Sequence, residues 1–201
     1  MVVGIGVVLC GLTGVREASA QGFEITPFLG YRIGGGFEDV DGDPSVDIEN
    51  DMSYGLLLGW DIDGESTFEI FYSRQATALE PNASLFSGTQ FDLDVHTLEF
   101  GGTFHFEQGK MRPFVSGGLG YTLFEPDASG VDSEGGVSLG LGGGVKVKAG
   151  EHVAFRFEGR GHLTFLTDNG TLFCGNNTCV LQAEGSVLFQ FEALGGVVLR
   201  F

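Results

Sequence analysis

Charged residues of both signs interrupt long segments of this chain in which apolar and polar residues otherwise alternate. Six of them lie on the polar side of that alternation: Glu69, Glu99, Arg156, Glu158, Arg160 and Glu192. An unpaired charge is costly in a low-dielectric interior, so groups like these are expected to pair there. The pairs could form a gate that controls the passage of ions. They could also form a structural plug of ion pairs, which is the simpler interpretation.

Side chains that could support catalysis are present, but their spacing does not single out an active site. His96 and His162 have serine and aspartate residues nearby in the sequence, yet no arrangement indicates a catalytic triad. The glycine-rich run at residues 140–144 lies within strand alternation, not at the strand-to-helix turn of a phosphate-binding loop. The sequence therefore predicts neither enzymatic activity nor a bound cofactor.

Two cysteines lie close together in the segment CGNNTC, at Cys174 and Cys179. In a protein that is exported from the cytoplasm, such a pair predicts a small disulfide-closed loop. A metal site is the weaker alternative, because no further cysteine or histidine lies nearby. A redox-active motif would usually have its two cysteines closer together. We therefore expect a disulfide between these residues.

The first twenty residues have the composition of a targeting segment. Residues 1–15 are almost wholly apolar, and Ala18, Ser19 and Ala20 follow them in the small-residue pattern of a cleavage site. No Lys or Arg precedes the apolar stretch, which departs from the usual pattern. The sequence predicts a signal peptide over residues 1–20, which would remove Cys10, and a mature domain over residues 21–201.

The composition excludes several classes of protein. The chain has 201 residues, enough for one domain, and its 42% hydrophobic content argues against intrinsic disorder. Its net charge of −17 argues against nucleic-acid binding, which needs a cationic surface. Glycine is in large excess, at 35 residues. No mature segment has the roughly 18 consecutive apolar residues of a membrane-spanning helix, so the apolar residues must be distributed in another way.

Eight segments of the mature chain show period-two alternation, which is typical of β-strands. In one of them Leu119, Tyr121 and Leu123 share one side, while Gly118 and Gly120 share the other. Several of these segments have at least the roughly 9–11 residues that a tilted strand needs to cross a bilayer. The alternation therefore predicts long strands with one apolar and one polar side.

The connections between these segments alternate in length. Three are short, at residues 61–66, 107–111 and 149–152, whereas four are long, polar and acidic, at residues 35–51, 75–92, 125–134 and 166–184. A membrane β-barrel has short turns at one end and long loops at the other. A bilayer offers the backbone no hydrogen-bond partners, so a sheet within it must close on itself. The sequence predicts an all-β fold, an eight-stranded antiparallel up-and-down transmembrane β-barrel.

The polar side of each segment is expected to face the lumen, because glycine and serine crowd it as a narrow interior requires. The apolar side would then contact lipid. A water-soluble β-sandwich with its polar side in solvent is one alternative. A lipocalin-like barrel would instead have an apolar interior.

Three segments resemble a known protein family. Residues 112–121 (RPFVSGGLGY) and 139–146 (LGLGGGVK) are similar to strands of small outer-membrane β-barrels, and the chain ends in the alternating segment VVLRF. This ending, with its terminal Phe201, resembles the signal by which the outer-membrane assembly machinery recognises its clients. The family includes the transmembrane domain of outer-membrane protein A, OmpX and OmpW, and the resemblance covers residues 21–201.

The resemblance implies a location in the outer membrane of a Gram-negative envelope, contact with lipid and lipopolysaccharide, and a monomeric barrel. The leading functional expectation is a structural or surface-interaction role, with the long acidic loops outside the cell. A narrow channel for small or hydrophobic solutes is the alternative. A soluble lipocalin-like binding barrel is a further one.

The first long connection contains three alternating aspartates, Asp39, Asp41 and Asp43, which mimic the opening of an EF-hand calcium loop. Pro44 stands where that loop has glycine, and Asn50 stands where it has its final glutamate. A loose divalent-ion contact that bridges to lipopolysaccharide phosphates is the weaker interpretation, and a solvated acidic loop is the simpler one. We therefore predict no metal site.

Overall fold

The computed structural model describes residues 22–37, 46–80, 91–106, 109–127, 133–166, 172–175, 178–181 and 187–201. Within these ranges the chain forms twelve β-strands. In chain order they are β1 (Phe23–Ile33), β2 (Gly36–Phe37), β3 (Val46–Ile48), β4 (Asp51–Asp61), β5 (Ser66–Glu80), β6 (Phe91–His105), β7 (Met111–Pro126), β8 (Glu134–Lys148), β9 (Val153–Leu166), β10 (Leu172–Gly175), β11 (Thr178–Leu181) and β12 (Val187–Arg200). No helix in the same ranges has the length and hydropathy needed to cross a membrane.

Eight of these strands close into a barrel. Strands β1, β4, β5, β6, β7, β8, β9 and β12 each pair antiparallel with the next, and β12 pairs back with β1. At the closing seam Ile25 lies opposite Leu199, and the Phe201 amide donates to the Phe23 carbonyl oxygen at 2.9 Å. Strands β2 and β3 extend the sheet beside β5, and β10 and β11 form a separate hairpin. The prediction of an eight-stranded up-and-down barrel is confirmed.

Successive residues of the barrel strands face opposite sides of the wall. Leu29, Leu119 and Phe157 point outward and are 55% to 63% exposed, as lipid-facing side chains must be. The inward positions are crowded: a Cβ atom added at Gly120 would lie 1.8 Å from the Leu98 carbonyl oxygen. Glycine is therefore required there by close approach of the neighbouring strand.

The strands continue further than the apolar alternation indicates. Residues 75–92 and 35–51 are expected to be connections, but β5 runs on to Glu80, β6 begins at Phe91, and β3 pairs with β5. In these extensions apolar side chains such as Ile48 and Leu93 are buried inside, whereas Asp92 and Ala76 face outward, so the outward apolar pattern of the barrel wall ends before the backbone ladder does. We call the end at which β1, β5, β7 and β9 finish the long-loop end, and the opposite end the short-turn end.

The turn between β4 and β5 packs against the lumen at the short-turn end. The Arg112 Nη2 atom donates to the Gly64 carbonyl oxygen at 2.5 Å, and the His105 Nδ1 atom lies 3.1 Å from the Glu65 carbonyl oxygen. Arg112 and His105 are both buried, lumen-facing side chains. Gly64 has a φ of 83°, a left-handed conformation that favours glycine. The turn is therefore held to the end of the lumen by side chains from β6 and β7.

Asp63 closes the same turn. Its carboxylate accepts hydrogen bonds from the backbone amides of Ser66, at 2.6 Å, and Glu65, at 3.0 Å. These bonds favour the charged form and hold the pKa of Asp63 below its usual value of 3.8. A pKa lowered by folding contributes stability above the unfolded-state pKa, and that stability is lost as the pH falls through the folded-state pKa.

We expect the Asp63→Ala variant to unfold at a lower temperature than the wild type near neutral pH, with the difference shrinking toward about pH 3. Thermal unfolding of the folded barrel in detergent, followed at both pH values, measures this gap. Glu151→Ala changes an exposed carboxylate in another short turn and serves as the control. An Asp63→Ala gap of the same size at both pH values would show that the charged carboxylate does not stabilise the turn.

Candidate functional site

Eight charged or titratable side chains form a continuous chain of contacts through the lumen, which we call the lumen network. Its members, in order of contact from the long-loop end, are Arg32, Glu192, His162, Glu99, Arg160, Glu158, Arg156 and Glu69. Each is at most 5% exposed. Strand β9 supplies half of them, because every second residue of its segment RFEGRGH faces inward. The remaining members project toward β9 from β1, β5, β6 and β12.

Arg156 holds the part of the lumen network nearest the short-turn end. Its Nη2 atom lies 2.7 Å from Glu158 Oε2 and 3.0 Å from Glu69 Oε2. The same atom donates to the Thr103 hydroxyl oxygen at 3.3 Å, and the guanidinium carbon lies 4.5 Å from the centre of the Phe114 ring. One guanidinium group thus joins two carboxylates from β5 and β9 and is desolvated by an aromatic face.

Arg160 occupies the middle of the lumen network. Its Nη2 atom donates to Glu99 Oε2 at 2.7 Å, and its Nη1 atom donates to Glu158 Oε1 at 3.2 Å. The guanidinium carbon lies 4.4 Å from the centre of the Phe71 ring. Glu158 therefore receives hydrogen bonds from both Arg156 and Arg160, which links the two halves of the network.

His162 joins the middle of the lumen network to its long-loop end. Its Nδ1 atom lies 3.0 Å from Glu99 Oε1, and its Nε2 atom lies 3.1 Å from Glu192 Oε2. Each ring nitrogen of His162 thus contacts the carboxylate of a different strand. Glu192 also accepts from Arg32 at 3.2 Å and from the Ser53 hydroxyl group. Three guanidinium groups therefore face four carboxylates, with His162 between two of those carboxylates.

The structure places all six charged residues that the sequence analysis singled out within this network. It adds two members, Arg32 and His162, that were not on that list. The signal for both is period-two alternation: His162 is two residues beyond Arg160, and Arg32 is two residues beyond the inward-facing Gly30. Their partners could not be assigned in this way, because pairing depends on the register of distant strands.

A second buried cluster lies at the short-turn end. Lys146 Nζ donates to Glu24 Oε2 at 2.6 Å, and Arg200 Nε donates to Glu24 Oε1 at 3.0 Å. Glu24 on β1 lies directly opposite Arg200 on β12, and Lys146 is on β8, so this cluster bridges the closing seam and joins it to β8 through the lumen.

Apolar side chains also lie in the lumen, which is less uniformly polar than the alternation indicates. Phe28, Leu57, Phe71 and Leu194 form one buried cluster beside Arg160. A second group, which we call the apolar cap, lies at the long-loop end and consists of Ile48, Leu93, Val95, Phe124, Leu166 and Leu188, each at most 8% exposed. These clusters place apolar side chains beside the buried charged groups.

Outside the apolar cap, the ends of β4 to β7 border an acidic cavity of about 620 Å³. Six carboxylates line it: Glu49, Asp51, Asp92, Asp94, Glu125 and Asp127. Asp94 is paired with Arg74 on the outer surface at 2.7 Å. Among the described residues, no three His, Cys, Asp or Glu side chains come close enough to hold a metal ion. The cavity therefore presents separated negative charges.

The remaining residues from the sequence analysis either are not members of the lumen network or fall outside the described residues. Asp39, Asp41 and Asp43 fall outside the described residues. The backbones of Cys174 and Cys179 are direct partners across the β10–β11 hairpin. Phe201 follows β12, is 70% exposed, and has its ring centre 6.4 Å from that of Phe23. Residues 1–20 also fall outside the described ranges, so the signal peptide stays a prediction.

Solved structures share this fold at low sequence identity. Neisserial surface protein A (NspA) gives a TM-score of 0.62 at 14% identity, over 89% of this chain and 97% of its own. The outer membrane protein OprG from Pseudomonas aeruginosa gives 0.59 at 15% identity, over 90% and 96%. The N-terminal β-barrel domain of Pseudomonas aeruginosa OprF gives 0.51 at 15% identity, over 90% and 98%. At these identities the likeness establishes the fold alone.

A family model described as "Outer membrane protein beta-barrel domain" matches residues 7–181. No curated protein matches the chain. The family match covers most of the chain, and the closed barrel with an apolar exterior is the architecture that the family requires. The chain is an outer-membrane protein and belongs to the outer membrane protein beta-barrel domain family.

Proposed function

We propose that this protein is a closed outer-membrane anchor with a structural or surface-interaction role. The observation that carries the proposal is the lumen network, in which every charged side chain is paired and almost fully buried. A permanent pore would need a hydrated path, whereas here an ion would have to separate buried pairs. Separating such pairs is costly, because it leaves uncompensated charges in a low-dielectric environment.

The two ends of the lumen support the same proposal. At the long-loop end, the buried side chains of the apolar cap narrow the lumen. At the short-turn end, the turn at residues 62–65 lies against Arg112 and His105. The titratable groups of the lumen are thus withdrawn from both aqueous sides, which also argues against a catalytic role because no substrate reaches them.

The exterior supports a surface role. Short turns of such barrels face the periplasm and long loops face outward, so the long-loop end would be the extracellular one. The acidic cavity lies at that end, and we propose that this negative face meets lipopolysaccharide through divalent cations.

The outward apolar side chains would contact lipid around a monomeric barrel. Phe201 lies at the exposed end of β12, where the assembly machinery could reach it.

The arrangement of the two faces disfavours a soluble lipocalin-like barrel. A lipocalin keeps its apolar side chains inside, whereas Leu29, Leu119 and Phe100 of this barrel point outward and are more than half exposed. The narrow channel is the alternative function that an experiment must distinguish from a closed anchor, since an ion-paired plug can also act as a gate.

Planar-bilayer recording of the folded protein tests the proposal. We expect the wild type to show no steady conductance steps, because its lumen is filled. The Arg160→Ala variant removes the cation shared by Glu99 and Glu158 and leaves space beside them. It should therefore show measurable, cation-selective steps. Arg74→Ala changes a half-exposed pair outside the lumen and should behave as the wild type.

Steady conductance of the wild type would overturn the closed-anchor proposal in favour of the channel. A silent Arg160→Ala variant with a normal heat-dependent gel shift would show that Arg160 is not part of the barrier. Recovery of the protein in the soluble fraction after export, without detergent, would contradict both membrane functions.

A further inference from the structure

The β10–β11 hairpin is separate from the barrel sheet and carries the two cysteines of the mature chain. Its strands pair Gly175 with Thr178, and Cys174 with Cys179 at the adjacent position of the same register. The topology thus places the two cysteines at the same level of one hairpin, beyond the long-loop end of β9 and β12.

This register meets the distance requirement of a disulfide. Directly opposed residues of an antiparallel pair have Cα atoms about 4.5–5.5 Å apart, depending on their hydrogen bonding. Disulfides join residues whose Cα atoms are roughly 4.4–6.8 Å apart. Neither of the two pairing types would require the backbone to move. A slip of the register by one residue would place the two cysteines on opposite sides of the hairpin. The observed register is therefore specific evidence for a disulfide.

We propose that Cys174 and Cys179 form a disulfide that closes this hairpin covalently. The two thiols would lose two protons and two electrons to a protein disulfide of the exchange type found in oxidising compartments, which is reduced to a dithiol. The third cysteine, Cys10, lies in the predicted signal peptide, so no other thiol of the mature chain competes.

The bond would compensate for the small size of the hairpin. Two four-residue strands are marginally stable in water on their own. Closing the loop covalently removes unfolded conformations and so stabilises the hairpin. The disulfide does not rest on the proposed function of the barrel.

Thiol mapping of protein extracted from outer membranes tests the bond. Extraction with iodoacetamide present should leave both cysteines unmodified, and a peptide linking Cys174 to Cys179 should be found by mass spectrometry. Dithiothreitol should then expose two alkylatable thiols. Full alkylation before reduction, or a dithiothreitol-sensitive dimer, would overturn the proposal.

The variant Cys174→Ser with Cys179→Ser tests what the bond does. We expect chymotrypsin to cut the variant within residues 172–181 at least about tenfold faster than the oxidised wild type, while the heat-dependent gel shift of the barrel stays unchanged. Equal cleavage rates would show that the bond does not fix the hairpin. Bilayer conductance is measured separately. A conducting barrel with an intact disulfide would contradict the closed-anchor proposal but not the disulfide.

Discussion

Replacing Arg156 with methionine is expected to destabilise the barrel by about 3–5 kcal/mol. Arg156 is 1% exposed and is shared between Glu69 and Glu158. Methionine fills much of the space of the arginine stem but leaves both carboxylates without their common cation. Breaking a buried pair costs more than the pair contributes, because the remaining charges stay desolvated.

Urea unfolding of the refolded barrel in lipid vesicles, followed by tryptophan fluorescence, measures this loss. Arg74→Met is the matched control, since Arg74 also pairs with a carboxylate, Asp94 at 2.7 Å, but both side chains are about one third exposed. Exposed pairs contribute about 0–1 kcal/mol, so this variant should unfold close to the wild type. Equal losses for the two variants would mean that burial does not strengthen the Arg156 contacts.

Neutralising the partners should recover part of the Arg156→Met loss. Adding Glu69→Gln and Glu158→Gln removes the uncompensated charges while keeping the shape of both side chains. The triple variant is therefore expected to be more stable than Arg156→Met alone. A triple variant that is less stable would indicate that packing, and not charge, sets the cost.

The Gly120→Ala substitution should cost about 3 kcal/mol or more, or prevent assembly of the barrel. The added Cβ would lie 1.8 Å from the Leu98 carbonyl oxygen and 2.6 Å from the Glu99 Cα atom. Both atoms belong to the backbone of β6, so relief requires the strand itself to move. Because β6 pairs with β7 along most of its length, that movement would disturb the whole ladder.

Gly117→Ala is the control on the same strand. Gly117 faces lipid, and an added Cβ would meet only Leu141 Cδ2 at 3.5 Å and the Gly140 carbonyl oxygen at 3.8 Å. Alanine is favoured over glycine inside a strand by roughly 0.5–1 kcal/mol, so this variant should be neutral or slightly more stable. The heat-dependent gel shift reports whether each variant assembles, and urea unfolding measures its stability. A tolerated Gly120→Ala would mean that the strand spacing can relax.

The contrast between these glycines shows how far composition alone could be interpreted. The excess of glycine on the polar side of the alternation indicates a narrow lumen, and a Cβ at Gly140 would indeed lie 2.1 Å from Glu99 Oε2. The lipid-facing glycines Gly117, Gly143 and Gly195 meet no such obstacle, with nearest contacts of 3.4 Å or more. Alternation assigns each glycine to a side, but only the neighbouring strand decides whether a side chain would fit.

The sequence by itself determined the number of barrel strands, the side on which each residue lies and the membrane location. These properties follow from period-two alternation, connection length and the requirement that a sheet in a bilayer be closed, all of which are local or general. For the same reason Glu99, Glu158 and Arg160 could be assigned to the lumen before any contact was known.

Only the tertiary structure decided which charges meet. Arg160 and Glu99 are 61 residues apart, on the non-adjacent strands β9 and β6. Arg32 and Glu192 are 160 residues apart and are direct partners across the β1–β12 seam, so both contacts depend on how the closed barrel staggers its strands. That stagger is set by closure of the whole barrel and leaves no trace in any single segment. His162 illustrates the point: alternation places it in the lumen, but its position between Glu99 and Glu192 follows from the closed ring of strands.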